Sequence, residues 1–509
     1  MVKLDIILEK FVEIFSDTQL DSSWKQTFNQ FSKDITYHRF QTDALDKITK
    51  CLWIYFKEDN GKKQDFFKRY SVNGMTRIPK ITVLPDKFTP IIRNKISKDF
   101  TLKNKKDLEF SEFCNRAAFW MATGSGKSLV LVETAALLFR LMELPSFPKK
   151  EIMMLSFRND LLEQLKEHVD NFNTLSNQRR FKIKLVELTE YEKQKRKQKT
   201  SSNERIIYYY RSDNLTEKNS EKQVNFQDYD NNGNWYLLLD EAHKGEKNAS
   251  KAQMYYTILT RNGFLFNFSA TLPDIIDRNS TVFEFNLSSF VDAGFAKQIY
   301  LSKTELVAFK GQFKKDQKQL VILKSLILLT YIKKEREKIN DKGLYHEPLL
   351  MSLVNSVNFS LKEEPDMKLF FDQLEYISDL NIKKTVWKKA IKELQNEFSN
   401  GAVLEYKKGS CIPINTNQLG QIQQKDILNY IFNSSKKGKI EALYHKDNEK
   451  EVAFKLKNSN SPFAVMKIGN AKKWIENNLK NYNVVNEVED KQYFKKIDEY
   501  DNISILMGS

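Results

Sequence analysis

A glycine-rich turn between an apolar run and a helical pattern constrains this 509-residue chain more than any other feature. The apolar run covers residues 119–122, and apolar residues recur at helical spacing over residues 129–141. The turn between them reads Thr123, Gly124, Ser125, Gly126, Lys127 and Ser128. Glycines let backbone N–H groups close around an anion, and the N-terminus of the following helix adds partial positive charge. The turn is therefore predicted to hold the phosphates of a nucleotide.

Within such a loop, Lys127 is predicted to reach the β- and γ-phosphates, and Ser128 is predicted to bind Mg²⁺. Met121 stands where the first glycine of the pattern is expected. An ordinary strand, turn and helix containing Gly-Lys-Ser by chance is the alternative interpretation.

Two further polar segments follow predicted buried strands. Residues 235–239 are apolar and end in Asp240 and Glu241, and residues 263–268 end in Ser269, Ala270 and Thr271. In an open parallel sheet, ligands collect at the carboxyl ends of the strands. Asp240 is therefore predicted to share one Mg²⁺ with Ser128, while Glu241 orients the attacking water.

These three segments resemble motifs I, II and III of the superfamily 2 helicases and translocases, with Asp-Glu-Ala-His at residues 240–243 as motif II. Residues 235–245, 348–358 and 462–470 are similar to the motor subunit of type III restriction enzymes. The resemblance implies tandem RecA-like lobes and movement on double-stranded DNA that depends on ATP and Mg²⁺. It also implies that His243, Ser269 and Thr271 couple the nucleotide state to DNA contacts.

Two more residues acquire expected roles from the resemblance. Gln41 follows Phe40 at the start of a helical pattern, as does the glutamine of this superfamily that contacts adenine, and an amide offers both a donor and an acceptor. A surface glutamine at a helix start is the alternative. Arg158 follows the apolar run 151–155, in the position of motif Ia, where it would contact a nucleic-acid phosphate. A structural ion pair is the alternative for Arg158.

The composition favours a polyanionic partner without proving one. The formal net charge is +16, and a basic protein gains affinity for nucleic acid through counterion release. Lysine and asparagine are frequent throughout, so a compositional bias of the genome is the alternative. Three widely separated cysteines suggest neither a disulfide framework nor a zinc site, and the N-terminus lacks a signal-peptide core. The most apolar run is too short to span a membrane, so a cytoplasmic protein is expected.

The predicted fold is α/β, with two RecA-like lobes built on mostly parallel sheets. Residues 1–305 are predicted to form an N-terminal region and the first, complete lobe, 306–342 a helical linker, and 343–509 a second, truncated lobe. Residues 60–110 are polar and are interpreted as an insertion. Residues 348–354 are predicted to be the first strand of the second lobe, with Asn355 and Ser356 resembling motif IV.

The chain departs from the family near residue 509. Motif V of the family continues past a Met-Gly-Ser such as residues 507–509, and neither motif VI nor the nuclease domain follows. Losing the arginines of motif VI can slow hydrolysis by about 10³–10⁵. The expected function is thus the ATP-dependent motor of a type III restriction system, with double-stranded DNA, a modification methyltransferase and a downstream chain as partners. A split or decayed gene product that binds ATP without efficient turnover, and an RNA helicase, remain alternatives.

Overall fold

The computed structural model describes most of the chain. The described residues are 6–196, 203–241, 249–272, 274–295, 301–302, 315–338, 347–353, 366–399, 404–407, 410–411, 414–445, 448–479, 483–487, 491, 493–494, 497 and 500–508. They fall into two compact units, Met1–Lys297 and Gln298–Ser509. Each unit has its own hydrophobic core.

The first unit alternates helices with strands. Its helices are α1 (Leu8–Ile14), α2 (Arg39–Trp53), α3 (Lys63–Val72), α4 (Pro90–Asp99), α5 (Lys127–Leu141), α6 (Asn159–Asn173), α7 (Ser176–Arg179), α8 (Tyr191–Arg196), α9 (Ala249–Leu259), α10 (Ile275–Asn279) and α11 (Leu287–Asp292). Its strands are β1 (Lys80–Thr82), β2 (Asp107–Glu109), β3 (Arg116–Met121), β4 (Glu151–Ser156), β5 (Lys182–Glu187), β6 (Glu204–Arg211), β7 (Leu215–Thr216), β8 (Val224–Asn225), β9 (Trp235–Asp240), β10 (Phe264–Ser269) and β11 (Thr281–Phe285). A π-helix, Ile54–Glu58, continues α2.

Seven of these strands form one parallel sheet in the order β11-β3-β10-β9-β4-β6-β5. The central strands are buried on both faces, which is why their sequences are nearly continuous apolar runs. The predicted strands at 151–155, 235–239 and 263–268 correspond to β4, β9 and β10. The expected fold class, α/β with a large parallel sheet, is confirmed.

Helix α5 is fixed beneath the sheet by a buried carboxylate. Glu133 is 3% exposed, accepts a hydrogen bond from the Tyr37 hydroxyl at 2.7 Å and pairs with Arg140 at 2.6 Å. Burial and the neighbouring Glu133 raise the pKa of Tyr37 well above its usual range, so its hydroxyl stays a donor. A buried carboxylate is tolerated because it is paired and hydrogen-bonded. This anchoring sets the position of the glycine-rich turn at the start of α5.

The second unit combines helices with a mixed sheet. Its elements are β12 (Leu301–Ser302), α12 (Lys315–Arg336), β13 (Leu350–Leu353), α13 (Asp366–Ser378), α14 (Lys384–Ser399), β14 (Leu404–Lys407), β15 (Ser410–Cys411), α15 (Thr416–Leu419), α16 (Gln424–Tyr430), β16 (Ile440–His445), β17 (Glu451–Leu456), β18 (Ala464–Lys467), α17 (Ala471–Asn478), β19 (Asn483–Glu487) and β20 (Ile505–Gly508). The main sheet has the order β13-β20-β18-β17-β16-β19, in which β17 is antiparallel to both neighbours.

Two features of the second unit add detail to the sequence expectations. The helix predicted within residues 306–342 is α12, and its residues Ile322, Leu323, Leu326 and Ile327 are buried in the core of the second unit. Strand β17 is antiparallel to both of its neighbours, whereas the other strand pairs of the main sheet are parallel. The predicted strands near 348, 463 and 503 are present as β13, β18 and β20, whereas Asn355 and Ser356 lie outside the described residues.

Among the residues that the structure describes, no helix combines the length and the apolar character needed to cross a bilayer.

Candidate functional site

Three neighbouring strands of the first unit end beside one another and carry the residues that the sequence singled out. Strand β3 runs into the glycine-rich turn, β9 ends at Asp240, and β10 ends at Ser269. Strand β10 lies between the other two and is parallel to both. Their carboxyl ends therefore meet at one edge of the sheet, the place where open α/β sheets bind ligands.

The glycine-rich turn has the backbone shape of an anion cradle. Gly124 and Gly126 have φ angles of 85° and 73°, a left-handed region that most side chains disfavour. Gly126 directly precedes α5, so the first turn of that helix, with Lys127 and Ser128, follows the cradle. The N-terminus of a helix offers unpaired N–H groups and partial positive charge to a phosphate.

The other two residues of the turn have different environments. Thr123 is exposed, whereas Ser125 is 2% exposed and its hydroxyl donates to the Ala122 carbonyl at 2.7 Å. Ser125 thus stabilises the turn from inside.

Lys127, which lies in the segment after β3, forms an ion pair with Glu241, which follows β9. The Lys127 ammonium also lies 3.9 Å from Asp240 Oδ1. All three side chains are largely buried, with exposed fractions of 12%, 7% and 13% for Lys127, Glu241 and Asp240. In this protected setting the attraction between the charges is stronger than at the surface. The predicted phosphate-binding lysine and the predicted catalytic acid are therefore in direct contact.

Glu241 has an unusual backbone conformation for its residue type. Its φ is 51°, and such a left-handed conformation costs a residue with a Cβ roughly 1–2 kcal/mol. Its backbone N–H donates to the Phe268 carbonyl on β10 at 3.0 Å. Strained residues that the surrounding contacts hold in place cluster at functional sites.

The segment after β10 holds the Glu241 carboxylate from a second side. The Ala270 backbone N–H donates to Glu241 Oε1 at 2.9 Å, and the Ser269 hydroxyl lies 3.2 Å from Oε2. Ser269 also lies 2.7 Å from the Thr271 carbonyl and accepts from the Thr271 N–H at 3.0 Å. Ser269 is fully buried and Thr271 is exposed. Of the residues expected to couple the site to DNA, Ser269 thus contacts Glu241, and His243 lies outside the described residues.

Gln41 is buried beneath the turn, 2% exposed. Its Oε1 accepts from the His38 backbone N–H at 2.9 Å, and its Nε2 donates to the Ser125 carbonyl at 2.8 Å. A Cβ added to Gly126 would lie 2.3 Å from Gln41 Nε2, so the turn and the amide fit closely. These bonds show Gln41 as a residue that positions the turn. The predicted contact with adenine remains a prediction.

We expect Gln41→Glu to lower both the stability of the first unit and its affinity for ATP. The carboxylate can still accept from His38, but it places an oxygen against the Ser125 carbonyl in a buried site. Losing this bond with a carbonyl left unpaired costs about 1–3 kcal/mol. Thermal unfolding and ATP titration measure the two effects. Gln64→Glu, an exposed glutamine on α3, is the control, and a wild-type unfolding temperature for Gln41→Glu would contradict the assignment.

A cluster of aromatic rings beside Gln41 was not predicted from the sequence. Phe40 and Phe285 are stacked with ring centroids 4.3 Å apart, and Phe295 lies 5.0 Å from Phe40 and 5.1 Å from His38. Phe295 is 45% exposed, and a Cβ added to Gly124 would lie 4.0 Å from the ring of Phe290. No spacing pattern marks these residues. Only the position of Phe40, next to Gln41, was visible in the sequence.

Arg158 precedes α6, two residues after β4 ends, and it is exposed. Its guanidinium pairs with Asp160, the alternative considered from the sequence. The same contact lowers the pKa of Asp160 below its usual value. An exposed ion pair contributes little to stability, so it leaves the arginine able to exchange partners.

Two oxygen-bearing residues of the site, Ser128 and Asp240, were predicted to hold a magnesium ion. Asp240 ends β9, and its Oδ1 lies 3.9 Å from the Lys127 ammonium. Ser128 follows Lys127 in the first turn of α5. Mg²⁺ prefers hard oxygen ligands and is commonly held by one or two protein groups together with substrate phosphates. Ser128 and Asp240 supply such oxygens.

Comparison with known proteins supports the resemblance in part. A solved structure entitled "The crystal structure of T4 UvsW" matches with 12% identity over 61% of this chain and 59% of that chain, at a TM-score of 0.22. The match thus spans less than two thirds of that protein, and no curated protein matches the chain. Residues 92–274 contain the glycine-rich turn, Asp240, Glu241 and Ser269, and they match the family model described as type III restriction enzyme, res subunit.

Proposed function

We propose that this protein is the ATP-hydrolysing motor of a DNA-acting system of the type III restriction kind. The observation that carries the proposal is the contact of Lys127, Glu241 and Ser269, which come from three separate strand ends. A glycine-rich turn, a buried lysine and a buried acid at the carboxyl edge of a parallel sheet are the groups that phosphoryl transfer to water requires.

The ion pair between Lys127 and Glu241 suggests how binding prepares the site. The phosphates of ATP offer Lys127 a more highly charged partner than the carboxylate, so the lysine turns to them. Glu241 then loses its strongest contact and becomes available to accept a hydrogen bond from the attacking water. Ala270 and Ser269 still hold the carboxylate, so its position is kept.

Three further roles belong to the same proposal. Mg²⁺ held by Ser128 and Asp240 would neutralise charge on the β- and γ-phosphates. Gln41 keeps the turn in its closed shape through the Ser125 carbonyl. We propose that Thr271, which is exposed and bonded to Ser269, reports the state of Glu241 to a bound nucleic acid.

The assignment of double-stranded DNA as partner rests on the family match, the net charge of +16 and the exposed Arg158. A modification methyltransferase and a chain supplying further motor motifs and a nuclease are the corresponding protein partners that we propose. A cytoplasmic location accords with this role.

The test is ATP hydrolysis by the purified protein with and without nucleic acid, in the presence and absence of the proposed partner chains. Stimulation by duplex DNA above that by RNA of equal length is expected. If only RNA stimulates hydrolysis, the protein is an RNA helicase and the proposed DNA motor is wrong. If the protein binds ATP but does not hydrolyse it in any combination, the result supports a split or decayed gene product that binds nucleotide without turnover.

Affinity for duplex DNA is expected to fall steeply with salt and to show little base preference. Each neutralised phosphate contributes about −0.9 to the slope of log K against log salt concentration. Arg158→Ala should therefore weaken binding and reduce the slope by about one such unit. Lys68→Ala, which removes an equal charge from α3, is the control. An affinity that does not change between low and moderate salt would contradict the proposal.

A further inference from the structure

A cavity of about 270 Å³ lies on the opposite edge of the first unit's sheet, where strands begin. Lys150 immediately precedes β4, and Arg261 and Asn262 shortly precede β10. Lys63 on α3 and the ring of Tyr55 complete the walls with other neutral residues. Among the described residues, no aspartate or glutamate lines the cavity.

The three cations around this cavity differ in how their charge is balanced. Arg261 is paired with Asp99 at 3.1 Å and with Asp230. In contrast, the Lys63 ammonium donates to the Glu112 backbone carbonyl, and the Lys150 ammonium donates to the amide oxygen of Asn234. Within the described part of the chain, neither lysine has a carboxylate at ion-pair distance.

Both lysines lie in surroundings that disfavour their charge. Burial lowers the pKa of Lys63 to about 8 and also lowers the pKa of Lys150. An ammonium has three donors, and each lysine uses one of them on a neutral oxygen. A buried charge without a counter-charge is costly, and an anion that reached both ammonium groups would remove most of this cost.

The wall that carries Tyr55 has an uncommon backbone. Residues Ile54–Glu58 form a π-helix, and Asn60 and Gly61 follow it with φ angles of 51° and 69°. Segments of π-helix are rare and occur frequently at functional sites because they change the direction of side chains. Here the π-helix contributes Tyr55 to the same cavity as Lys63.

We propose that this cavity is a binding site for a small phosphate-bearing anion, separate from the nucleotide site. Its volume falls just below the approximately 300–1,000 Å³ typical of pockets for drug-sized ligands, so inorganic phosphate or a small phosphorylated metabolite fits better than a nucleotide. Two lysines without a carboxylate at ion-pair distance among the described residues supply the charge, and the neutral residues Asn60 and Asn262 also line the cavity. The glycine-rich turn lies at the opposite ends of the strands.

Calorimetric titration of the full chain with inorganic phosphate tests the proposal. The glycine-rich turn is proposed to bind phosphate as well, so the titration is repeated on the double variant Lys127→Ala, Glu241→Gln, which lacks the lysine of the turn. One saturable phosphate site is expected to persist in that variant. When Lys63→Gln or Lys150→Gln is added to it, the affinity for phosphate is expected to fall at least about tenfold, because a charge-assisted hydrogen bond is lost.

The controls are the sequence neighbours Lys62→Gln and Lys149→Gln, which remove an equal charge outside the cavity. Absence of saturable binding in the double variant Lys127→Ala, Glu241→Gln overturns the proposal, as does equal binding by the cavity and control variants. If Lys63→Gln fails to fold, the phosphate affinity of Lys150→Gln, compared with that of Lys149→Gln, decides whether the cavity binds the anion. ATP titrations of the same variants measure the proposed nucleotide site separately. A failure of the cavity proposal can therefore be distinguished from a failure of the proposed motor function.

Discussion

Replacing Glu241 by glutamine is expected to lower kcat for ATP hydrolysis by about 10²–10⁴ while ATP binding is preserved. Glutamine keeps the size of the side chain and can still accept from the Ala270 N–H through its amide oxygen. It loses the negative charge needed to accept a proton from water. It also stops competing with the phosphates for Lys127, so the affinity for ATP is expected to stay equal or to rise.

Single-turnover hydrolysis and equilibrium binding of ATP separate the two effects. Glu163→Gln, an exposed glutamate paired with Lys166 on the surface of α6, is the matched control and should leave both unchanged. A Glu241→Gln protein that hydrolyses ATP as fast as the wild type would remove Glu241 from catalysis. A large loss of binding would instead mean that Glu241 is needed to shape the site.

The arrangement of the candidate site at the carboxyl ends of β3, β9 and β10 could be predicted from the sequence because each part depends on local pattern. The apolar runs before Asp240 and Ser269 predict buried strands, and parallel strands place the residues that follow them on one edge. The glycines of the turn indicate a left-handed backbone, which Gly124 and Gly126 show.

Contacts between distant segments could not be predicted in the same way. The hydrogen bond from Gln41 to Ser125 and the approach of Phe295 to Phe40 depend on how α2 packs against the sheet, which no short pattern encodes. The ion pair between Lys127 and Glu241 likewise depends on the left-handed backbone of Glu241, a conformation that a glutamate does not favour.

The second unit shows a different limit of sequence interpretation. Strands β16 and β17 are short apolar segments joined into an antiparallel pair, and periodicity alone does not give the direction of such a strand. Helix α12 lies within residues 306–342, which were predicted to be a helical linker. The pattern of its residues did not show that Lys324 is 7% exposed and pairs with Glu397 on α14.

Replacing Lys127 by alanine is expected to weaken ATP binding by about 100-fold or more, since two or more charge-assisted bonds to phosphate, each about 1.5–3 kcal/mol, are lost. The same change should destabilise the protein without nucleotide. It leaves the Glu241 carboxylate 7% exposed and without its cation, and breaking a buried pair from one side costs about 3–5 kcal/mol.

The double variant Lys127→Ala, Glu241→Gln distinguishes these two consequences. Glutamine removes the uncompensated charge, so the unfolding temperature should recover toward that of the wild type, while ATP binding stays weak because the cation is still missing. Thermal unfolding without nucleotide and ATP titration of the wild type, both single variants and the double variant measure this directly. Recovery of ATP affinity in the double variant would mean that Lys127 acts only by balancing Glu241, and the phosphate contact assigned to it would then be wrong.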